Sequence, residues 1–237
     1  MGRTEALLGR AVAANTRRMA ARASDVDAPN PRPIDDVPWA AALASRHSTV
    51  RGEWDRFVAD GGRLPRIGDL IAEDQGEEGS WRAGLLVSRG RPVPPLATVF
   101  PRTTAALGDV PGLWSALWSV LGPGTVLPAH RGPNGGVLRY HLGVACGDDA
   151  ALRVGERTVA YRDGTGILFD DTAEHEAWNR GDADRVTLFL EVLRPAPLRI
   201  RATNRLVQEV LALDPRYRRA PQRAEEWHRA LQPAGAS

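Results

Sequence analysis

Between residues 4 and 23 the apolar positions Leu8, Val12 and Met19 fall on one helical face with arginines elsewhere, which predicts an amphipathic helix packed on the body of the protein. The stretch SDVDAPNPRPIDDVP that follows is rich in Pro and Asp and reads as a linker. From Trp39 to about Leu70 the pattern is helical but interrupted, with DGGRLPRIGD as the break. After Ala83 the period shortens. AGLLVSR, WSALWSVL, VLRYHLGVA, ALRVGERTVAYR, GILFDD and RVTLFLEVL are short runs bounded by Gly, Pro and Asp, with turn signals such as Asp163-Gly164 between them. Many short strands at this spacing predict an antiparallel sandwich or jelly roll. Past Pro195 the helical period returns: TNRLVQEVLALD places Leu206, Val207, Val210 and Leu211 on one side, Asp214-Pro215 ends it, and a last helix is expected around AEEWHRAL. The expected fold is mainly β, a jelly-roll core flanked by N- and C-terminal helices. Its expected divisions are residues 1–37 (helix and linker), 38–197 (the β domain) and 198–237 (a helical extension).

Strand parity gives two strands of the β core a polar face that either borders solvent or lines a polar cavity. In LRYHLGV, Leu138, Tyr140, Leu142 and Val144 share one side, while Arg139, His141 and Gly143 share the other. In DRVTLFLEVL, Val186, Leu188, Leu190 and Val192 form an apolar face against Arg185, Thr187, Phe189 and Glu191. If these polar faces line the barrel mouth, Arg185 is a cation inside a pocket and needs an anionic partner, because an unpaired buried charge is costly. A dicarboxylate small molecule meets that need, gripped bidentately by the guanidinium.

Composition narrows the chemistry. All 31 basic residues are Arg, so mechanisms built on a lysine Schiff base or a phosphate-loop lysine are excluded. A formal net charge of +2 carries no nucleic-acid signal. Cys146 stands alone, which forbids an intrachain disulfide and predicts a buried structural thiol in a reducing compartment. Arg10, Arg17 and Arg18 interrupt every apolar run near the N-terminus. The expectation is therefore a cytoplasmic protein with neither signal peptide nor membrane contact.

Of the five histidines, His130, His141 and His175 fall in the most strand-like part of the chain. Taken singly, His130 reads as a turn residue and His175, between Glu174 and Glu176, as a solvated ion-paired side chain. Together, GTVLPAHRGPNGGVLRYHLGV, ILFDDTAEHEAWN and RVTLFLEVLRP resemble, in order and interval, the aspartyl/asparaginyl β-hydroxylase family of Fe(II)- and 2-oxoglutarate-dependent oxygenases on the double-stranded β-helix, a cupin-like fold. The resemblance covers roughly residues 38 to 195.

It implies that His130 and His175 are the catalytic iron ligands. Gly132 then marks the position where other oxygenases of this kind carry the carboxylate of a two-histidine, one-carboxylate triad. By the same resemblance Arg185 and Ser119 hold the distal carboxylate of 2-oxoglutarate and His141 the carboxylate nearest the metal, while Arg139 binds cosubstrate or the substrate's own carboxylate. The implied reaction couples decarboxylation of 2-oxoglutarate to succinate with O₂-dependent hydroxylation of an unactivated carbon, the β-carbon by family analogy. Trp178 is a candidate for packing or for substrate stacking. Asp170 and Asp171, the carboxylates nearest His175, are assigned to turn chemistry or to supporting an imidazole from behind. His47 and His228 lie outside the matching blocks and receive no role.

One departure bears on the substrate. Animal aspartyl hydroxylases of the family carry Arg-Leu-Arg before the His-Leu-Gly, whereas this chain has Val137-Leu138-Arg139. With one cation missing, the expected substrate is a free amino acid, a carrier-tethered aminoacyl group or a short peptide. Three rival readings remain. A cupin-like binding module would bind ligand without turnover. An iron halogenase would use the vacancy at Gly132 for chloride. A Zn(II) hydrolase or isomerase would require the third protein donor that is missing here.

Overall fold

The alternation in the runs after Ala83 closes into two antiparallel sheets. The computed structural model describes residues 3–23, 25, 28–71 and 80–231. Residues 1–2 and 232–237 of the expected terminal segments, and Ser24, Val26 and Asp27 of the expected linker, lie outside the described residues. In chain order the elements are α1 (Arg3–Arg22), α2 (Pro38–Ala44), α3 (His47–Ala59), α4 (Ile67–Leu70), β1 (Trp81–Ser88), β2 (Arg91–Pro92), α5 (Leu96–Val99) and α6 (Pro101–Gly108). The barrel follows with β3 (Leu113–Leu121), β4 (Thr125–His130), β5 (Val137–Ala145), β6 (Ala150–Val154), β7 (Arg157–Ala160), β8 (Gly166–Phe169), β9 (His175–Asn179) and β10 (Arg185–Leu193). The chain ends in α7 (Leu198–Leu211), α8 (Pro215–Arg218) and α9 (Ala220–Leu231).

One sheet has six strands in the order β2-β1-β3-β10-β5-β8, and the other has four in the order β4-β9-β6-β7. The first sheet is apolar on its helix-covered side. Trp118, Leu138, Tyr140, Leu142, Val144, Leu188, Leu190 and Val192 pack there with Val50, Trp54 and Phe57 of α3 and with Phe100 and Leu107. Trp118 is the hub, 4.8 Å from the Trp54 ring and 4.9 Å from Phe100 in tilted arrangements. The other face of the sheet looks into the barrel, where a smaller cluster of Leu152, Val154, Tyr161, Ile167, Phe169 and Ala177 fills the closed part.

The Tyr140 hydroxyl donates to Ala40 O at 3.1 Å, tying α2 to β5 across the main core. Removing that hydroxyl deletes a buried bond across the core, while the Ala40 carbonyl keeps its partner within α2. Tyr140→Phe is expected to lower stability by about 1–2 kcal/mol, read by denaturant melting, with no change in the site on the far face of the sheet.

Three features differ from the sequence expectation. The segment at 96–108 is helical, because Pro101 opens a turn whose Thr103, Ala106 and Leu107 can be buried against α3. The expected linker is strapped down in its described part: Arg32 N donates to Leu168 O, and Asn30 Nδ2 to Asp170 O, so it covers the open edge at β8. Helix α1 buries Val12 and Met19 as expected. Helix α7, however, buries Asn204 and Gln208 and leaves Leu206 and Val210 exposed.

Candidate active site

Strand β4 ends on His130 and β9 begins on His175, and the register places the two directly opposite each other. Their ring centroids are 4.1 Å apart. Each Nδ1 donates to the carbonyl two residues earlier, His130 to Pro128 O at 2.7 Å and His175 to Ala173 O at 3.0 Å. A ring that donates from Nδ1 directs Nε2 toward the pocket, the nitrogen whose lone pair a metal ligand of this tautomer uses. Burial holds the His175 imidazole below its ordinary pKa, favouring the same neutral form. Among the described residues no third His, Cys, Asp or Glu side chain joins them in a metal-binding cluster. The donor set therefore fits an iron with two imidazoles and open positions, and it does not fit a structural zinc.

Behind the histidines, the inner face of the six-stranded sheet is set by register: Ser119 faces Thr187, Phe189 faces His141, and Glu191 faces Arg139. Arg185 begins β10 in the same parity and is 2% exposed. Its Nη2 lies 3.4 Å from Ser119 Oγ, its guanidinium carbon lies 4.5 Å from the centre of the Tyr161 ring, and its Nε and Nη1 have no hydrogen-bond partner. Ser119 Oγ in turn accepts from Trp81 Nε1 at 3.0 Å.

His141 is buried beside this cation, and burial followed by the charge of Arg185 lowers its pKa well below the ordinary value. Its Nδ1 is 2.8 Å from the Tyr161 hydroxyl, whose own pKa burial pushes up to about 12. The phenol keeps its proton, and the donor-only Arg185 on the same residue attracts the oxygen lone pairs. We therefore assign the phenolic proton to His141 Nδ1, which leaves the imidazole N–H on Nε2, a buried atom with no partner. A cation and a neutral donor, both buried and both unsatisfied, make a cradle for an anion.

Arg139 lies closer to the histidines and is neutralised. Its Nε donates to Asp171 Oδ2 at 2.8 Å and its Nη1 pairs with Glu191 at 2.9 Å, and these carboxylates raise its pKa against the opposing effect of burial. Asp171 is 2% exposed, its main-chain oxygen accepts from Gly132 N at 2.7 Å, and its Oδ1 has no partner. A Cβ at Gly132 would lie 2.1 Å from Asp171 Oδ2. The carboxylate of Asp171, supplied from the strand-to-strand turn, thus occupies the space a side chain at position 132 would need. Asp170 makes the turn itself: its Oδ1 accepts from Thr172 N, and its Oδ2 pairs with Arg194 at 2.5 Å.

The loop from Arg131 to Gly136 is fastened from outside by α7. Asn204 Nδ2 donates to Gly136 O at 2.7 Å, Asn134 Nδ2 donates to Gln208 Oε1 at 2.7 Å, and Asn15 of α1 donates to Asn204 Oδ1 at 2.8 Å. The approach is so close that a Cβ at Gly136 would meet Asn204 Oδ1 at 2.1 Å, so only glycine fits. Sequence reasoning missed this clamp, although two amides four residues apart in a helical run were the available signal.

The structure brings His130, His175, His141, Arg139, Arg185 and Ser119 to one barrel mouth. It does not bring Trp178 there: β9 alternates, so His175 and Ala177 face inward while Trp178 faces away and holds Arg180 over its ring at 4.7 Å. The substrate-contact expectation for Trp178 is thus corrected by strand parity to a packing role on the outer face. His47 Nε2 donates to Val144 O at 3.0 Å, away from the pocket. Cys146 is half-buried beneath the sheet end, and burial raises its thiol to about 11, so it stays a protonated packing group.

A family model described as Aspartyl/Asparaginyl beta-hydroxylase matches residues 44–195. An ornithine lipid ester-linked acyl 2-hydroxylase of Rhizobium tropici is 32% identical over 197 residues, covering 81% of this chain and 70% of that protein. Aspartate beta-hydroxylase domain-containing protein 2 of Homo sapiens is 33% identical over 126 residues, 49% of this chain and 34% of that protein. The Homo sapiens aspartyl/asparaginyl beta-hydroxylase is 28% identical over 136 residues, 54% of this chain and 18% of that protein.

Proposed function

The chain belongs to the aspartyl/asparaginyl β-hydroxylase family, and from that premise we propose that it is an Fe(II)- and 2-oxoglutarate-dependent dioxygenase that hydroxylates an unactivated carbon on an acyl chain of a lipid. The observation that carries the cosubstrate reading is Arg185, fully buried with Nε and Nη1 unpaired. Such a charge is tolerated in a fold only where a ligand completes it. Arg185 and Ser119 would grip the distal carboxylate of 2-oxoglutarate, the Nε2–H of His141 would donate to the carboxylate nearer the metal, and His130 and His175 would hold the iron through Nε2. Iron, when bound, supplies the activation of O₂ and the coupled decarboxylation of 2-oxoglutarate to succinate. The protein's own contribution is to favour the neutral His175 imidazole by burial, to fix the cosubstrate's orientation with a buried cation, and to exclude water with the Phe169, Phe189 and Tyr161 rings that surround His141.

Two observations support a lipid acyl chain over the amino acid, carrier-tethered aminoacyl group or short peptide expected from the sequence. Arg139, the cation assigned there to a substrate carboxylate, already shares its charge with Asp171 and Glu191. The relative matched over most of this chain acts on a lipid-borne acyl group. A hydrocarbon substrate needs no cation at its reacting segment.

The test is succinate release from 2-oxoglutarate under air, with Fe(II) and ascorbate, against a panel of acylated amino-acid lipids, free amino acids and short peptides. The expected result is succinate formed in step with hydroxylated acyl chain and abolished by chelation of the iron. Stimulation by amino acids or peptides alone would return the substrate to that class. Binding of 2-oxoglutarate without succinate under any condition would favour the non-catalytic cupin-like module.

A further inference from the structure

Helix α7 is amphipathic with its polar side inward. Asn204 and Gln208 are buried against the loop that follows His130, so the apolar residues of the segment point out. Leu198 is 71% exposed, Leu206 64%, Val210 43% and Leu213 58%, and Tyr217 on α8 continues the row at 40%. Positions 198, 202, 206 and 210 recur at helical spacing and form one stripe along α7, with the small Ala202 also exposed, and Leu213 and Tyr217 follow beyond the end of that helix. Soluble proteins rarely leave such a stripe facing water without a partner for it.

The borders of the stripe are cationic. Arg199, Arg201, Arg205, Arg218 and Arg219 are exposed along it. The segment's two carboxylates, Glu209 and Asp214, are both half-buried, and Glu209 is paired with Arg89 and with Arg205. The opposite side of α7 holds the loop that follows His130. The apolar stripe is therefore separated from the mouth of the site by the thickness of one helix. No described helix is long and apolar enough to cross a membrane, so any contact with lipid here lies in the interface plane.

We propose that the α7–α8 stripe is an interfacial docking surface for an anionic lipid bilayer, its leucines seated among the acyl chains and its arginines against acidic headgroups, bringing the barrel mouth to a membrane-borne acyl chain. The proposal rests on the lipid reading of the substrate above. It replaces the expectation of no membrane contact drawn from the N-terminal segment alone. A second copy of the chain is the poorer occupant, because a two-fold contact through this face would set arginine rows against each other, whereas acidic headgroups satisfy them.

The experiment is flotation of the full chain with vesicles of phosphatidylcholine alone or mixed with phosphatidylglycerol, at low and high salt, for the wild type and for Leu206→Glu/Leu213→Glu. Both substituted side chains are exposed, so circular dichroism melting should be unchanged. The expected result is wild-type flotation with the mixed vesicles only, weakened by salt, and a drop of about tenfold or more in the bound fraction for the variant. Wild type that floats with neither vesicle, or a variant that floats like wild type, overturns the proposal. So does a variant that merely converts a dimer to a monomer with flotation unaltered. The wild-type comparison of the two vesicles at two salt concentrations decides the matter even if the variant folds poorly. Flotation without acyl hydroxylation would sink the substrate reading and leave the docking surface standing. Normal hydroxylation of vesicle lipid by the non-binding variant would do the reverse.

Discussion

Arg185→Met is expected to abolish 2-oxoglutarate binding while leaving the ligand-free protein as stable as the wild type or more so. The two effects have one cause. In the free protein the guanidinium is 2% exposed and satisfied only by Ser119 at 3.4 Å and the Tyr161 ring. Replacing a poorly paired buried charge with an aliphatic chain of similar length removes a desolvation cost and adds packing. With the dicarboxylate bound, the same charge is half of a buried ion pair. Deleting one partner of such a pair costs about 3–5 kcal/mol, which is roughly a hundredfold or more in affinity. Thermal melts with and without cosubstrate separate the two: at a hundred times its dissociation constant, 2-oxoglutarate should stabilise the wild type by about 2.7 kcal/mol and the variant by nothing measurable. An unchanged ligand-induced shift in Arg185→Met would remove 2-oxoglutarate from this pocket.

Gly132→Asp, which would restore the carboxylate common in other iron oxygenases, is expected to damage the fold. The reason is space, not backbone strain. A Cβ at 132 would sit 2.1 Å from Oδ2 and 2.3 Å from Cγ of Asp171, and Asp171 cannot swing aside because Arg139 Nε holds that same oxygen at 2.8 Å. Overpacking and rupture of the Arg139–Asp171 pair together should cost about 3 kcal/mol or more. Gly132→Ala should show the steric part alone. Combining Gly132→Asp with Asp171→Gly should recover much of the loss, because the new carboxylate can then reach Arg139 from the other side. A double-mutant cycle reads the coupling directly. If Gly132→Asp melts like wild type and Asp171→Gly adds nothing to it, the two positions do not compete.

Strand parity sorted the two faces of the central strands: Arg139 and His141 on one side of β5, and Arg185 with Thr187 and Phe189 on one side of β10, share a face in the register, while burial decided that this face looks inward. The two strands that carry the histidines were not legible as strands. β4 contains Pro128 and β9 is HEAWN, and neither shows an apolar alternation, because each presents one face to a polar pocket and is too short to display a period. Trp178 failed as a substrate contact for the same reason, since its parity can be assigned only once β9 is known to be a strand. The inversion of α7 was hidden because the hydrophobic period marks which residues share a face and does not say which face is inside. The amides of Asn204 and Gln208 took the inner side because the loop at 134–136 offers them polar partners, the Gly136 carbonyl for Asn204 and the Asn134 side-chain amide for Gln208.

The two histidines differ in how firmly they are placed. His130 closes β4, the edge strand of its sheet, beyond a break in register, and is exposed to solvent. His175 opens β9, which is hydrogen-bonded on both sides, and is buried. Edge strands open at lower free energy than the strands they flank. One histidine therefore sits on the hinge side of the mouth and the other on its frame: local opening of the barrel would move His130 first, while His175 and the cradle around Arg185 stay assembled.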